Sequence, residues 1–199
     1  IYTLAGGTLL AISANVMNQV LEVETDKLME RTSDRPIVTG ELTKTNGIIY
    51  SISSGLIGFL ILYSLVTPLS SFIGLAANIF YVFIYTLILK PRTNQNIVIG
   101  GASGAAPVLI GWTATGSELE TGPWVLFLLV FMWTPAHFWA LSIENKADYK
   151  NAEFPMLPIQ ESYKRTCIFI GIYSCSTVLI SLVAAPILQL GIIYLFVSI

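Results

Sequence analysis

The chain has 199 residues, of which 54% are hydrophobic and only 11% charged, with a net charge of −2. Its mean hydropathy of +0.73 argues against a soluble globular protein. We therefore expect a lipid bilayer as its surroundings and no nucleic acid among its partners.

Apolar runs long enough to cross a hydrocarbon core of about 30 Å, which takes about 20 helical residues, recur along the chain. They lie at residues 1–21, 47–66, 71–89, 97–114, 123–143 and 166–185, and a seventh run after Pro186 is cut off at Ile199. The sequence predicts an all-α, polytopic transmembrane bundle. We expect residues 1–199 to form one domain, incomplete at both ends, with about seven spans.

The basic residues indicate the orientation of the spans. All ten lysines and arginines lie in the connections after the first, third and fifth runs. The connections after the second and fourth runs contain no base, and their only charged residues are Glu118 and Glu120. By the positive-inside rule, the basic loops face the bacterial cytoplasm or the mitochondrial matrix. A multi-pass protein of the bacterial or mitochondrial inner membrane is predicted.

The first basic connection is also rich in carboxylates, which contribute little to orientation. If the first helix continues past its apolar run, Asn18, Glu22 and Asp26 follow an i, i+4, i+8 spacing on one face, with Asn15 one turn earlier. Mg²⁺ typically takes one or two carboxylates and completes its shell with water and substrate phosphates. Asn18, Glu22 and Asp26 are therefore predicted metal ligands, whereas Glu24 lies off this stripe.

Two arginines follow the stripe at a spacing of four residues. Arg31 and Arg35 are placed to bind phosphate oxygens with forked hydrogen bonds, whereas Glu30 lies off the stripe and is expected to be solvated. Carboxylates for a metal and guanidiniums for an anion, at the end of a membrane helix, favour a diphosphate site. A diphosphate on an apolar chain is an isoprenoid donor.

Three stretches then carry a family resemblance. They are M-x-R-T-x-x-R-P at residues 29–36, "YTLILKPRTNQNIVIGGASGAAPVLIGWTATG" at 85–116 and "WTPAHFWALSIENKADYKNAEFPMLP" at 133–158. With them the chain resembles the intramembrane aromatic prenyltransferase superfamily, and within it the branch that farnesylates protoheme IX. The resemblance implies nine transmembrane helices around a central cavity, of which this chain would lack the first and the last.

The resemblance also implies a reaction. Farnesyl diphosphate would donate its farnesyl group to a vinyl group of protoheme IX (heme b), giving heme O, the precursor of the heme A of cytochrome oxidase. Mg²⁺ is the implied cofactor, and the heme A synthase that acts next is an expected partner. The chain departs from the family at Glu22, where Asp is more frequent.

Site residues in the second and third basic connections rest on the same resemblance. Lys146 and Asp148 are expected to help hold the donor diphosphate and the metal, with Tyr149 beside them. Glu144 is equally well explained as a charge at the helix end. The second basic connection offers Lys90 and Arg92, which orient the protein at least and are also candidates to bind the diphosphate or a propionate.

The single histidine, His137, lies inside a predicted span. Ionisable residues in spans are costly and tend to be functional. The His-Phe-Trp match implies a role in the heme pocket, as an iron ligand, a propionate partner or a proton shuttle, and these three alternatives stay open.

Other functions fit the sequence less well. A related membrane prenyltransferase acting on a quinone or chlorophyll precursor usually carries aspartates where this chain has His-Phe-Trp. A transporter would require charges within its spans. Nearly all charge here lies at one membrane face.

Overall fold

A computed structural model describes residues 1–198, which form helices and no β-strand. Six helices in this part of the chain are long and apolar enough to cross a bilayer, so the protein is a multi-pass integral membrane protein. These spans are α1 (Tyr2–Leu21), α2 (Lys44–Leu65), α3 (Pro68–Leu89), α4 (Asn96–Thr113), α5 (Thr121–Glu144) and α6 (Tyr163–Ile187).

Short helices occupy two of the basic connections. Beyond α6 the structure describes one further helix, Ile192–Val197, which is too short to cross a membrane, so a seventh span stays a prediction. The short helices of the connections are Val23–Asp26, the 3₁₀ turn Glu30–Thr32, Pro36–Thr39, Lys146–Asn151 and Leu157–Gln160.

Several spans begin a few residues earlier than the apolar runs predict, because polar residues cap them. The hydroxyl oxygens of Thr43, Thr67 and Ser162 accept the backbone N–H groups of the residues three positions later. Such caps satisfy amides that a helix start leaves without partners. The helices therefore include charged or polar first turns that hydropathy alone excludes.

The α1 and α2 helices approach closely because small residues line their contact. A Cβ atom at Gly58 would lie 2.8 Å from the carbonyl oxygen of Gly6. Elsewhere along the same pair of helices, the Ser51 hydroxyl donates to the carbonyl oxygen of Ser13 at 2.8 Å. Small side chains and hydroxyl bonds are the usual means by which membrane helices associate.

The two ends of the bundle differ as the charge pattern predicts. At one end, the connections without bases meet, and Thr67 donates to the carbonyl oxygen of Thr113 at 3.1 Å. At the other end, the basic connections contact one another. Met29 of the first connection packs in one buried cluster with Ala152, Phe154 and Met156 of the third and with Ile97 at the start of α4.

Candidate active site

The charged segment begins where α1 bends. Glu22 has φ −101° and ψ 11°, and one further helical turn, Val23–Asp26, follows it. The amide of Glu22 donates to the carbonyl oxygen of Asn18 at 2.9 Å, and the amide of Asp26 donates to that of Glu22 at 2.8 Å. The predicted helical continuation past the apolar run is therefore present, with a bend at Glu22.

The second half of α3, Phe80–Leu89, is a π-helix that faces this segment. The Thr86 hydroxyl donates to the carbonyl oxygen of Tyr81, five residues earlier. It also accepts a hydrogen bond of 3.2 Å from the side-chain amide of Asn18. A wider helical turn of this kind is frequent at functional sites. It brings α3 into polar contact with the first predicted metal ligand.

A polar cavity of about 170 Å³ lies between the basic connections and the adjacent helix ends. Its lining includes six of the residues that the sequence predicts for the site. They are Asn15, Asn18, Arg31, Arg35, Lys90 and Tyr149.

Two buried carboxylates lie beside this cavity, and each pairs with a base that lines it. A Glu22 oxygen lies 2.5 Å from the Lys90 ammonium, and an Asp26 oxygen lies 2.6 Å from the Arg35 guanidinium. Both acids are less than a tenth exposed. Ion pairing is what makes buried charge of this kind tolerable.

The second carboxylate oxygen of Glu22, Oε1, is buried and has no hydrogen-bond partner in the described part of the chain. An unpaired buried carboxylate oxygen is energetically costly, and a cation would satisfy it. Among the described residues, no group of three or more His, Cys, Asp or Glu side chains is arranged to hold a metal. Mg²⁺ needs only one or two carboxylates when substrate phosphates complete its shell, so the buried Oε1 of Glu22 suits that ion. Asn18 and Asp26 remain predicted ligands.

Asp148 has another environment. Its Oδ1 accepts the backbone N–H of Glu30 and its Oδ2 accepts that of Arg31, both at 3.2 Å. The carboxylate thus joins the third basic connection to the first. Among the described residues, neither Lys90 nor Arg35, the bases that pair with Glu22 and Asp26, also pairs with Asp148.

Besides Glu22, Asp26 and Asp148, three predicted residues do not line the polar cavity. Arg92 and Lys146 are exposed and do not line it. His137 is also exposed, on α5, and its ring stacks on Trp133 with a centroid distance of 4.4 Å. The neighbouring Phe138 does line the cavity, so His137 lies one residue away from its wall.

The acids predicted to lie off the stripe are at the surface. Glu24 is exposed between Lys27 and Lys44, and the hydrogen bond from Lys27 lowers the pKa of its carboxyl below the usual value. Glu30 is exposed as well.

Sequence reasoning missed several residues of the polar cavity. Gln19 and Tyr81 line it together with Tyr85, the first residue of the stretch 85–116 that carries the resemblance. The rings of Tyr81 and Tyr85 lie 5.3 Å apart. Two tyrosines four residues apart, at the charged end of an apolar run, were the available signal.

An apolar cavity of about 180 Å³ continues from the polar one towards the interior of the bundle. Asn15 and Tyr81 line both cavities, so the two meet there. A Cβ atom added at Gly7 or Gly104, which also line the apolar cavity, would meet no atom within 4 Å. These glycines therefore leave space open inside the bundle.

Gly100 has a different role from Gly104, although both belong to the glycine-rich stretch of α4. A Cβ atom at Gly100 would overlap the ring of Tyr85. Its missing side chain lets Tyr85 lie against α4 and reach the cavity wall. Within this stretch, Gly100 thus allows the Tyr85 ring to pack, whereas Gly104 leaves open space.

Comparison with known proteins then assigns a family. Residues 1–199 match the model of the UbiA prenyltransferase family. The chain belongs to that family.

Curated proteins similar to this chain include several named protoheme IX farnesyltransferase. The protein of Synechocystis is 43% identical over 198 residues, which cover 99% of this chain and 63% of that protein. The protein of Cutibacterium acnes is 43% identical over 199 residues, which cover all of this chain and 59% of that protein. The chain thus spans about three fifths of the length of these relatives.

Solved structures of the UbiA family have the same fold. A UbiA homolog from Archaeoglobus fulgidus, determined with DMAPP and Mg²⁺, aligns with a TM-score of 0.73 at 18% identity. The alignment covers 98% of this chain and 71% of that one, and a second structure, with GPP and Mg²⁺, aligns equally well. The predicted all-α prenyltransferase fold is confirmed.

Proposed function

We propose that the full-length protein transfers a farnesyl group from farnesyl diphosphate to a vinyl group of protoheme IX, giving heme O. The names of the relatives above, at 43% identity, support the substrates. The observation that carries the proposal is the polar cavity, where Arg31, Arg35 and Lys90 face a space bordered by buried acids.

The bases would bind the diphosphate. Arginine presents paired donors to phosphate oxygens, and lysine contributes a compact charge. Since Lys90 and Arg35 already contact Glu22 and Asp26, the same bases bridge the acids to the donor. Asn18, Glu22 and Asp26 would hold Mg²⁺, which supplies positive charge that offsets the diphosphate leaving group.

The apolar cavity would receive part of the farnesyl chain. It opens from the polar cavity at Asn15 and Tyr81, so a donor with its diphosphate among the bases can extend its chain between α1, α3 and α4. The open space at Gly7 and Gly104 supports this assignment. Burying apolar carbons there contributes about 0.8 kcal/mol per CH₂ group.

The reaction begins when the bond between farnesyl carbon and diphosphate oxygen breaks, and the diphosphate leaves with the electron pair. The aromatic walls, Tyr85 and Phe138, exclude water from the allylic cation, and their π faces stabilise positive charge. The vinyl π electrons of heme form the new carbon–carbon bond. Water then adds to the carbocation that this bond leaves on the vinyl group and loses a proton, which gives the hydroxyethylfarnesyl group.

His137 would act on the heme side of the reaction. It lies on α5 beside Phe138, which borders the polar cavity. An imidazole there would contact the heme iron or a propionate, or transfer a proton. The basic connections would face the cytoplasm of a bacterium or the matrix of a mitochondrion, as their charge favours.

Mass analysis of extracted hemes tests the function. Membranes containing the full-length protein receive farnesyl diphosphate, Mg²⁺ and protoheme IX, with EDTA added to a parallel sample. A heme heavier by one farnesyl group and one hydroxyl group, absent with EDTA, is the expected product. Unchanged heme, together with prenylation of a phenolic acid offered as a competing acceptor, would replace the proposal with a related prenyltransferase activity.

A further inference from the structure

The contact between Asp148 and the first basic connection joins two separate parts of the bundle. Asp148 belongs to the helix Lys146–Asn151, which follows α5, whereas Glu30 and Arg31 follow α1. Each carboxylate oxygen accepts one of the two backbone N–H groups at 3.2 Å. Hydrogen bonds to an ionised carboxylate are stronger than those between neutral groups.

Residues next to this contact hold the same two connections together and line the polar cavity. Met29 packs in the buried cluster with Phe154. Arg31, whose backbone N–H is part of the contact, lines the cavity, and so does Tyr149, which follows Asp148. The contact therefore fixes the backbone from which the Arg31 side chain reaches the diphosphate position.

We propose that Asp148 is a positioning residue that holds Arg31 at the diphosphate site by fixing its backbone. Each of its two carboxylate oxygens accepts one backbone amide of the first basic connection. The consequence for catalysis rests on the proposed function, whereas the contact between the connections does not.

Trypsin cleavage after the exposed Arg31 tests the contact without any assay of activity. Asp148→Asn replaces an acceptor oxygen by an NH₂ group, so the loop opens more often, and we expect cleavage of the detergent-solubilised protein to accelerate about tenfold. Cleavage after Arg92 in the same sample reports general unfolding and should not change. Glu30→Gln, which removes a nearby exposed charge but no N–H group, is the matched control.

An unchanged rate of cleavage after Arg31 in Asp148→Asn would overturn the proposal. Faster cleavage after both Arg31 and Arg92 would also overturn it, because the residue would then support the whole bundle and not this loop.

A double-mutant cycle separates positioning from metal binding. If Asp148 acts through Arg31, Asp148→Asn raises the KM for farnesyl diphosphate about tenfold in the wild type and changes it little in an Arg31→Ala background. The Mg²⁺ concentration for half-maximal activity stays the same. A metal ligand would instead raise that Mg²⁺ concentration and add its full effect in the Arg31→Ala background, which would contradict the proposal.

The two proposals fail in different ways. A wild-type protein that transfers no farnesyl group to heme would refute the proposed function, while the cleavage experiment would still decide whether Asp148 fixes the loop.

Discussion

Buried acids beside a polar cavity require a cationic partner, and the two acids of the first basic connection have one each. Glu22 pairs with Lys90, from the connection after α3, and Asp26 pairs with Arg35 from its own connection. One Glu22 oxygen has no hydrogen-bond partner among residues 1–198. The ion pairs therefore stabilise both acids, and Glu22 still offers an oxygen to a cation.

Asp26→Ala should remove metal-dependent turnover and leave membrane insertion intact. It removes a proposed metal ligand and frees Arg35, and a loss of about 3 kcal/mol of transition-state stabilisation corresponds to about 100-fold in kcat/KM. The measurement is farnesyl transfer as a function of Mg²⁺ concentration. Glu24→Ala, on the same turn but at the surface, should retain activity; normal activity of Asp26→Ala at limiting Mg²⁺ would contradict the metal assignment.

His137→Ala should raise the KM for heme and leave the KM for farnesyl diphosphate unchanged. The ring lies on Trp133, outside the polar cavity, so its loss does not reach the bases. Steady-state kinetics with each substrate varied in turn provide the comparison. An equal effect on both substrates would show that the histidine only packs α5.

At the scale of elements, the π-helical half of α3 and the glycine-rich start of α4 form one wall of the site. Tyr85 occupies the space that the absent side chain of Gly100 leaves. Thr86 meanwhile connects the wall to α1 through Asn18. Neither contact follows from hydropathy, because each depends on how two helices lie against one another.

Gly100→Ala should displace the Tyr85 ring and destabilise the protein. Overpacking of a filled contact costs about 1–3 kcal/mol. The midpoint temperature of thermal unfolding of the purified protein and its kcat should both decrease. Gly111→Ala, on the same helix with open space around the Cβ position, is the control and should leave both unchanged.

Gly104→Leu should fill part of the apolar cavity and weaken binding of long donors more than short ones. A leucine there occupies space that the farnesyl chain would need. The ratio of KM values for farnesyl and dimethylallyl diphosphate measures this selectivity. A rise that is equal for both donors would place the farnesyl chain elsewhere, and Gly111→Leu controls for bulk on α4.

At the scale of the whole molecule, the alternation of basic and non-basic connections determines where the site forms. All basic connections lie at one end of the bundle, so residues that are far apart in sequence, such as Glu22 and Lys90, meet there. Hydropathy and charge therefore sufficed to predict six spans and the end of the bundle that contains the site.

The pairing within the site could not be read from the sequence. Helical periodicity is a local property, so the spacing alone predicted that Asn18, Glu22 and Asp26 lie on successive turns of one helix. Which base pairs with which acid, and the contact of Asp148 with backbone amides, depend on how three connections fold over the bundle. His137 shows the same limit, since a motif match does not indicate which face of α5 meets the cavity.

The central question about this protein is whether the paired acids and bases form one Mg²⁺-dependent diphosphate site. Purified full-length protein is titrated with a non-reactive farnesyl diphosphate analogue, with Mg²⁺ or with EDTA, in the wild type and in Asp26→Asn. We predict tight binding in the wild type with Mg²⁺, weakened about tenfold or more by EDTA or by the substitution. Binding that is equally tight in all samples would show that neither Mg²⁺ nor Asp26 contributes to diphosphate binding.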